Sequence, residues 1–407
     1  MIKDDFLSGI FYSVPNLRFP NFCTPWKIIP ISNLLQFQNG INGSPEQYGK
    51  GVKFISVGDI LNNIYITYDN IKGLIDIDEK TLNNYSVTYG DILFQRSSEI
   101  INDIGRTNVY LDKNNIATFG GFVIRGKRIG QYNPVFFNYL LKSPSSRKSI
   151  IRLGAGAQHY NIGQENIKTL NFCFPDEIEQ AKIACLFSKI DERIQIQIKI
   201  IDDYSSVKDY IIKQCFQKCK EYINLGNLFK YGKAGGTPKS TIKEFYDGNI
   251  PFMGISDITN QGKYISYTSK NITQKGLINS SAWLVPKNSL ILSMYASVGL
   301  PAINKIPLAT SQAMMSMIFD NDLDVEFVYY YLCYFKKSKI QSLLETGTQS
   351  NINADTVKSI KVPKLRADEK EKITNIFIKV DQLINNEKEI LNSLQKQKNF
   401  LLKNMFV

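Results

Sequence analysis

"FSKIDERIQIQIKI", Phe187 to Ile200, and "FIKVDQLINNEKEI", Phe377 to Ile390, decide the fold of this 407-residue chain. Phe, Lys, Asp, Ile and the closing Ile recur at a separation of 190 residues. Read alone, "RIQIQIKI" (Arg193 to Ile200) alternates like a strand. Its counterpart "LINNEKEI" does not alternate, yet it keeps apolar residues at steps of four and three, so both copies read as helix. The heptad seam runs through Ile183, Phe187, Ile190, Ile194, Ile201 and Tyr204 in the first copy. In the second it runs through Ile373, Phe377, Val380, Ile384, Leu391 and Leu394. Polar residues interrupt both seams at matching places, Gln197 and Lys208 against Glu387 and Lys398, and such interruptions fix register or partner at some cost in stability. A helix of about 40 residues is about 60 Å long.

Working outward, the rest of the chain repeats too. "VKFISVGDI" (Val52 to Ile60) answers "IPFMGISDI" (Ile250 to Ile258), and "YGDILF" (Tyr89 to Phe94) answers "KNSLIL" (Lys287 to Leu292), both at 198 residues. "FFNYLL" (Phe136 to Leu141) answers "FVYYYL" (Phe327 to Leu332) at 191, and "NIGQENIKTL" (Asn161 to Leu170) answers "NINADTVKSI" (Asn351 to Ile360) at 190. The order is kept and the spacing drifts only where loops gain or lose residues. Each repeat is a β-rich globular part, 1–175 and 217–363, followed by a long helix, 176–216 and 364–407. Pro175 and Pro363 stand just before the helices, where proline is tolerated. The fold class expected is α+β: two β-rich α/β domains related by a pseudo-two-fold repeat, separated by an antiparallel two-helix coiled coil. Off the seam, Ile196 and Ile200 form an apolar strip that either receives a partner protein or packs on a globular part.

A net charge of +12 and a pI of about 9.1 fit a polyanionic partner or a plain lysine-rich enzyme. The excess sits in the globular parts, +5 in 1–175 and +6 in 217–363, against −2 and +3 in the helices. The six cysteines form no Cys-x-x-Cys pair, the start "MIKDDFLSGIFYSV" carries acids where a signal peptide needs a positive charge, and no apolar run reaches membrane length. A cytoplasmic protein with reduced thiols and no membrane contact is expected. The lone histidine, His159, excludes a multi-histidine metal site, and no metal is expected.

Catalytic motifs fail on inspection. "YNPVFF" (Tyr132 to Phe137) lacks the second proline of an adenine methyltransferase Asn-Pro-Pro-Phe and reads as a helix start. "GNLFKYGKA" (Gly226 to Ala234) has the wrong spacing for a phosphate-binding loop. "DEK" (Asp368 to Lys370) lies at a helix N-terminus, where acids suit the dipole.

The chain resembles the specificity (S) subunits of type I restriction–modification systems over nearly its whole length. "PNLRFPNFCTPW" (Pro15 to Trp26) is similar to the family's amino-terminal motif, and "GGTPKSTIKEFYDGNIPFMGISDI" (Gly235 to Ile258) to the opening of a target recognition domain. "GAQHYNI" (Gly156 to Ile162) and "GTQSNIN" (Gly347 to Asn353) resemble the Gly-rich segment before the closing strand. In the first half "QNGINGSP" (Gln38 to Pro45) stands where Gly-Gly-Thr-Pro is expected. The resemblance implies that 1–175 and 217–363 are two target recognition domains, each reading one half of a split, asymmetric site in double-stranded DNA. It implies that the paired helices set the gap and dock two adenine-N6 methyltransferase subunits, joined by two restriction subunits where a system has them. No catalysis and no cofactor are implied for this chain; S-adenosylmethionine and ATP belong to the partner subunits. Two other readings stay open: a self-contained or type IIB/IIG-like methyltransferase-associated reader, and a coiled-coil scaffold that binds no DNA.

Base reading needs fixed donors and acceptors presented from loops on a rigid frame. Arg96 and Ser97 in "QRSSE", and Tyr295 and Ser297 in "SMYASV", leave equivalent strands and are candidate readers, or ordinary polar turn residues. Arg125, Lys127 and Arg128 form a compact basic turn suited to phosphate, and Lys233 and Lys239 flank the paired glycines. Gln158 and Gln349 stand in the two Gly-rich segments, Gln158 beside His159, which is expected to be a surface histidine.

Overall fold

The structure is a computed structural model that describes residues 14–156, 159–295, 297–338 and 351–407. The stretch that alternates like a strand is helical, inside a helix Glu177–Gln217, and its repeat lies in a helix Ala367–Asn404. Pro363 ends a strand, Lys361–Pro363, so the second helix begins a few residues later than the proline suggests. The chain divides into two compact units, one of residues up to 198 together with 389–407, the other of 199–388. Each unit therefore contains part of both long helices.

In the first unit a four-stranded sheet has the order Leu35–Asn39, Val123–Arg128, Ile92–Gln95, Thr107–Val109. Beside it, Tyr48–Ile55 pairs antiparallel with Gly73–Ile75 and parallel with Thr118–Phe119. The second unit repeats this plan: Tyr231–Ala234, Met314–Ile318, Leu290–Ser293 and Pro301–Asn304 form one sheet, extended by Tyr264–Ile265. Tyr246–Met253 pairs antiparallel with Lys270–Ile272 and parallel with Leu308–Thr310. The bulge between Tyr48 and Val52 recurs between Tyr246 and Ile250. After each of these strands an aspartate, Asp59 or Asp257, accepts the backbone N–H three residues earlier at 2.8 Å and starts a short helix.

"YNPVFF" is a helix start, as expected. Asn133 accepts from the backbone N–H groups of Val135 and Phe136, and Pro134 occupies the first turn of Pro134–Lys142. The second unit has its counterpart in Asp322–Ser338. These helices pack on the seams. In the first unit Tyr139 stacks on Phe187 at 4.9 Å and Phe187 meets Phe406 at 5.6 Å. In the second, Tyr330 meets Phe377 at 5.0 Å and Phe377 meets Phe216 at 5.9 Å. Each buried phenylalanine contributes about 2–3 kcal/mol of transfer free energy.

Within each unit the start of one long helix lies against the end of the other. Ile183, Phe187, Ile194, Phe377, Ile384 and Leu394 are buried, and Ile190, Ile201, Tyr204, Ile373, Val380 and Leu391 are half-buried. Toward the end of the first helix the buried line moves by one residue, to Ile212 and Phe216; at the end of the second, Leu402 is buried together with Met405 and Phe406 just past the helix. The heptad spacing did not announce that shift; it follows because the last turns pack on a globular core as well as on a helix.

Candidate nucleic-acid interface

The chain leaves the strand Ile92–Gln95 at Arg96, which is held on both sides of its backbone. Its N–H donates to Phe122 O at 2.9 Å and its carbonyl accepts from Ile162 N–H at 3.0 Å. The half-buried guanidinium reaches Gly121 O at 3.3 Å. Ser97 follows in a short strand paired with Asn161, and its hydroxyl donates to Asn161 Oδ1. Phe122, strongly exposed, and Asn161 thus stand beside the predicted readers, although sequence reasoning did not select either.

The second unit builds the same frame. Met294 N–H donates to Ala313 O at 2.7 Å, and Met294 O accepts from Ile352 N–H at 3.0 Å. By these bonds Met294 is the counterpart of Arg96, and Tyr295 that of Ser97. Met294 is 3% exposed, whereas Tyr295 and Ser297 are exposed. The backbone is conserved between the units and the side chains are not.

The Gly-Gly-Thr-Pro departure is resolved by hydrogen bonding. Gly235 N–H donates to Met314 O and Gly236 N–H to Thr310 O, both at 2.9 Å. Gly40 N–H donates to Val123 O and Ile41 N–H to Phe119 O, both at 3.1 Å. "QNGINGSP" therefore does stand in the Gly-Gly-Thr-Pro place, with Gly40 for Gly235.

One expected contact is corrected. Arg125, Lys127 and Arg128 do not form a turn; they belong to the strand Val123–Arg128. Arg125 is 5% exposed and donates to Ser86 O and Gln38 Oε1, with its guanidinium over the Phe119 ring. Burial pushes its pKa down. The strand is covered on both faces from Val123 to Gly126, so Arg125 is a core residue rather than a phosphate contact. Lys127 is exposed; Arg128 is half-buried over Tyr132 and donates to Tyr132 O at 2.9 Å. Lys233, on a strand, and Lys239 are exposed. Gln158 and Gln349 lie outside the described residues; His159 is exposed. Ile196 is 54% exposed and Ile200 half-buried, with Ile390 exposed at the repeat position.

Among the described residues no group of three or more His, Cys, Asp or Glu is placed to hold a metal ion, and no helix is long and apolar enough to cross a membrane.

Residues 218–396 match the family model of the type I restriction modification DNA specificity domain. Over 178 residues the chain is 32% identical to the type I restriction enzyme MjaIX specificity subunit of Methanocaldococcus jannaschii, a match spanning 42% of this chain and 40% of that protein. It is 23% identical over 430 residues to the HindI specificity subunit of Haemophilus influenzae, covering 85% of this chain and 90% of that one. The fold is that of the type I restriction–modification S subunit from M. genitalium, with a TM-score of 0.58 at 20% identity, covering 97% of this chain and 99% of the other. Residues 218–396 therefore carry the pattern of a type I restriction modification DNA specificity domain, and the relatives similar to the chain are named as type I specificity subunits.

Proposed function

We propose that this chain reads a bipartite, asymmetric site in double-stranded DNA, one half per unit, and docks two adenine-N6 methyltransferase subunits, with two restriction subunits where the system has them. The observation that carries the bipartite reading is the duplicated frame at Arg96 and Met294: one scaffold, two different sets of side chains. Two readers of the same build and different surface suit two different half-sites. Exposed Lys127, Lys233 and Lys239 would meet phosphates, Arg96, Ser97, Tyr295 and Ser297 base edges. The strip of Ile196 and Ile200 is the proposed docking surface for the methyltransferase subunits. S-adenosylmethionine and ATP would be bound by the partners, in the cytoplasm.

Co-expression with the methyltransferase subunits, followed by mapping of methylated adenines, tests this. Two specified half-sites separated by an unspecified gap are expected, together with DNA affinity that falls as salt rises. Methyl transfer by the isolated chain, or methylation at a continuous palindrome, would refute it.

A further inference from the structure

A cleft of about 380 Å³ opens in the first unit among Asn63, Asn102, Arg106, Thr107, Lys142 and Arg147. Three of these side chains are cationic and no carboxylate lines the cleft. Arg147 is committed to the backbone: it donates to Gly105 O at 2.8 Å, Ile104 O at 2.7 Å and Asn102 O at 3.0 Å, which fixes one wall. Arg106 spends its Nε on Asp103 at 2.6 Å. Lys142 Nζ has a carbonyl partner, Ile64 O, at 3.2 Å. Thr107 is 3% exposed and its Oγ1 has no hydrogen-bond partner in the protein.

Leaving a buried hydroxyl unpaired costs about 1–3 kcal/mol, and Lys142, half-buried with a carbonyl as its hydrogen-bond partner, adds the cost of a partly desolvated ammonium. A guest that accepts from both and carries negative charge removes both costs at once. We infer that this cleft binds a compact oxyanion of the phosphate class, with Lys142, Thr107 and Arg106 as donors and Arg147 as the fixed wall. The site is not part of the duplicated reader: at 191 residues' separation, Cys333 stands for Lys142 and Ser338 for Arg147. It therefore stands apart from the DNA reading proposed above. Burial, with Lys398 and Arg106 repelling and Asp191 attracting, pushes the Lys142 ammonium down to about 7. A seated oxyanion restores that proton, so binding at neutral pH takes up protons.

Calorimetric titration of inorganic phosphate into the full chain, with ionic strength held by chloride, tests the site. A saturable heat is expected, weakened at least tenfold in Lys142→Met and several-fold in Arg106→Gln, whose half-exposed side chain can change without unfolding the chain. Binding is expected to weaken from pH 7 to pH 9. Duplex DNA added to saturation separates the two sources of the group: displaced phosphate assigns the cleft to a backbone phosphodiester, retained phosphate to the free ion. Absence of saturable binding, or equal binding in wild type and both variants, overturns the site and leaves the bipartite reading untouched.

Discussion

Lys398 Nζ lies 2.5 Å from Asp191 Oδ1, and Tyr139 donates to Asp191 Oδ2 at 2.6 Å, so a carboxylate on one long helix is bound by the other helix and by the globular part together. The second unit repeats the arrangement with Lys208, Asp381 and Tyr330, where Tyr330 donates at 2.6 Å. Lys208 and Lys398 are two of the four polar interruptions of the seams, and each is bonded to the other helix. Lys263, at the repeat position of Tyr65, adds ion pairs to Glu326 and Asp381 in the second unit only.

Asp191 is 4% exposed, so removing it strands a partly buried ammonium and leaves the buried Tyr139 hydroxyl with Tyr65 alone. Asp191→Ala is expected to lower the stability of the full chain by about 2–4 kcal/mol, less than a fully buried pair because Lys398 still touches water. Urea unfolding checks this. The double substitution Asp191→Leu with Lys398→Met should cost less than Asp191→Ala alone, since it leaves no unpaired charge.

Gly235 closes against the neighbouring strand so tightly that an added Cβ would sit 2.1 Å from Thr310 O and 2.4 Å from Ser311 O. At Gly40 the same atom would sit 2.1 Å from Gly120 O. Both obstacles are backbone, which cannot rotate away. Gly235→Ala and Gly40→Ala are each expected to destabilise by about 2–4 kcal/mol, read as a lowered thermal midpoint. Gly49→Ala is the control for steric crowding, because nothing lies within 4 Å of its added Cβ. Its positive φ of 94° leaves only a backbone strain cost of about 1–2 kcal/mol.

The repeat, both long helices and the helix start at Asn133 were legible because periodicity and capping are local signals. Strand neighbours were not: the pairing of Val123–Arg128 with Leu35–Asn39 joins distant segments, and only that pairing shows Arg125 bonded to Gln38. A run of basic residues on a strand looks like a basic turn until it is known that the strand is covered on both faces as far as Gly126 and opens to solvent only at Lys127. Likewise Asp191 reads as a solvated helix acid, since Tyr139 reaches it from 52 residues away. The equivalence of Gly40 and Gly235 was hidden because only one glycine of the motif survives, and backbone bonding, not side-chain identity, preserves the place.

Arg96 and Met294 share a backbone frame, so replacing Arg96 by methionine puts into the first unit a side chain that the same frame already carries in the second. Arg96→Met should relax discrimination in one half of the recognised site by about 1–3 kcal/mol per base pair contacted and leave the other half unchanged. Competition binding with oligonucleotides varied in one half at a time measures it. Equal loss in both halves would mean that Arg96 holds the fold and reads nothing.

Lys142 gives the stability of the chain a signed dependence on pH. Its folded pKa, about 7, lies below the ordinary lysine value of about 10.4. Between those values the unfolded chain binds more protons than the folded one, so this group makes stability rise as pH climbs from 7 toward 10. Below pH 7 both states are charged and its penalty is constant. Lys142→Met removes the penalty, and in phosphate-free buffer the variant should be the more stable protein at pH 7. Its advantage should shrink steadily by pH 10. Urea midpoints for the two proteins at pH 7, 8, 9 and 10 measure the slope. Parallel curves across that window would show that the Lys142 ammonium meets water freely, and the cleft would lose its unpaired cation.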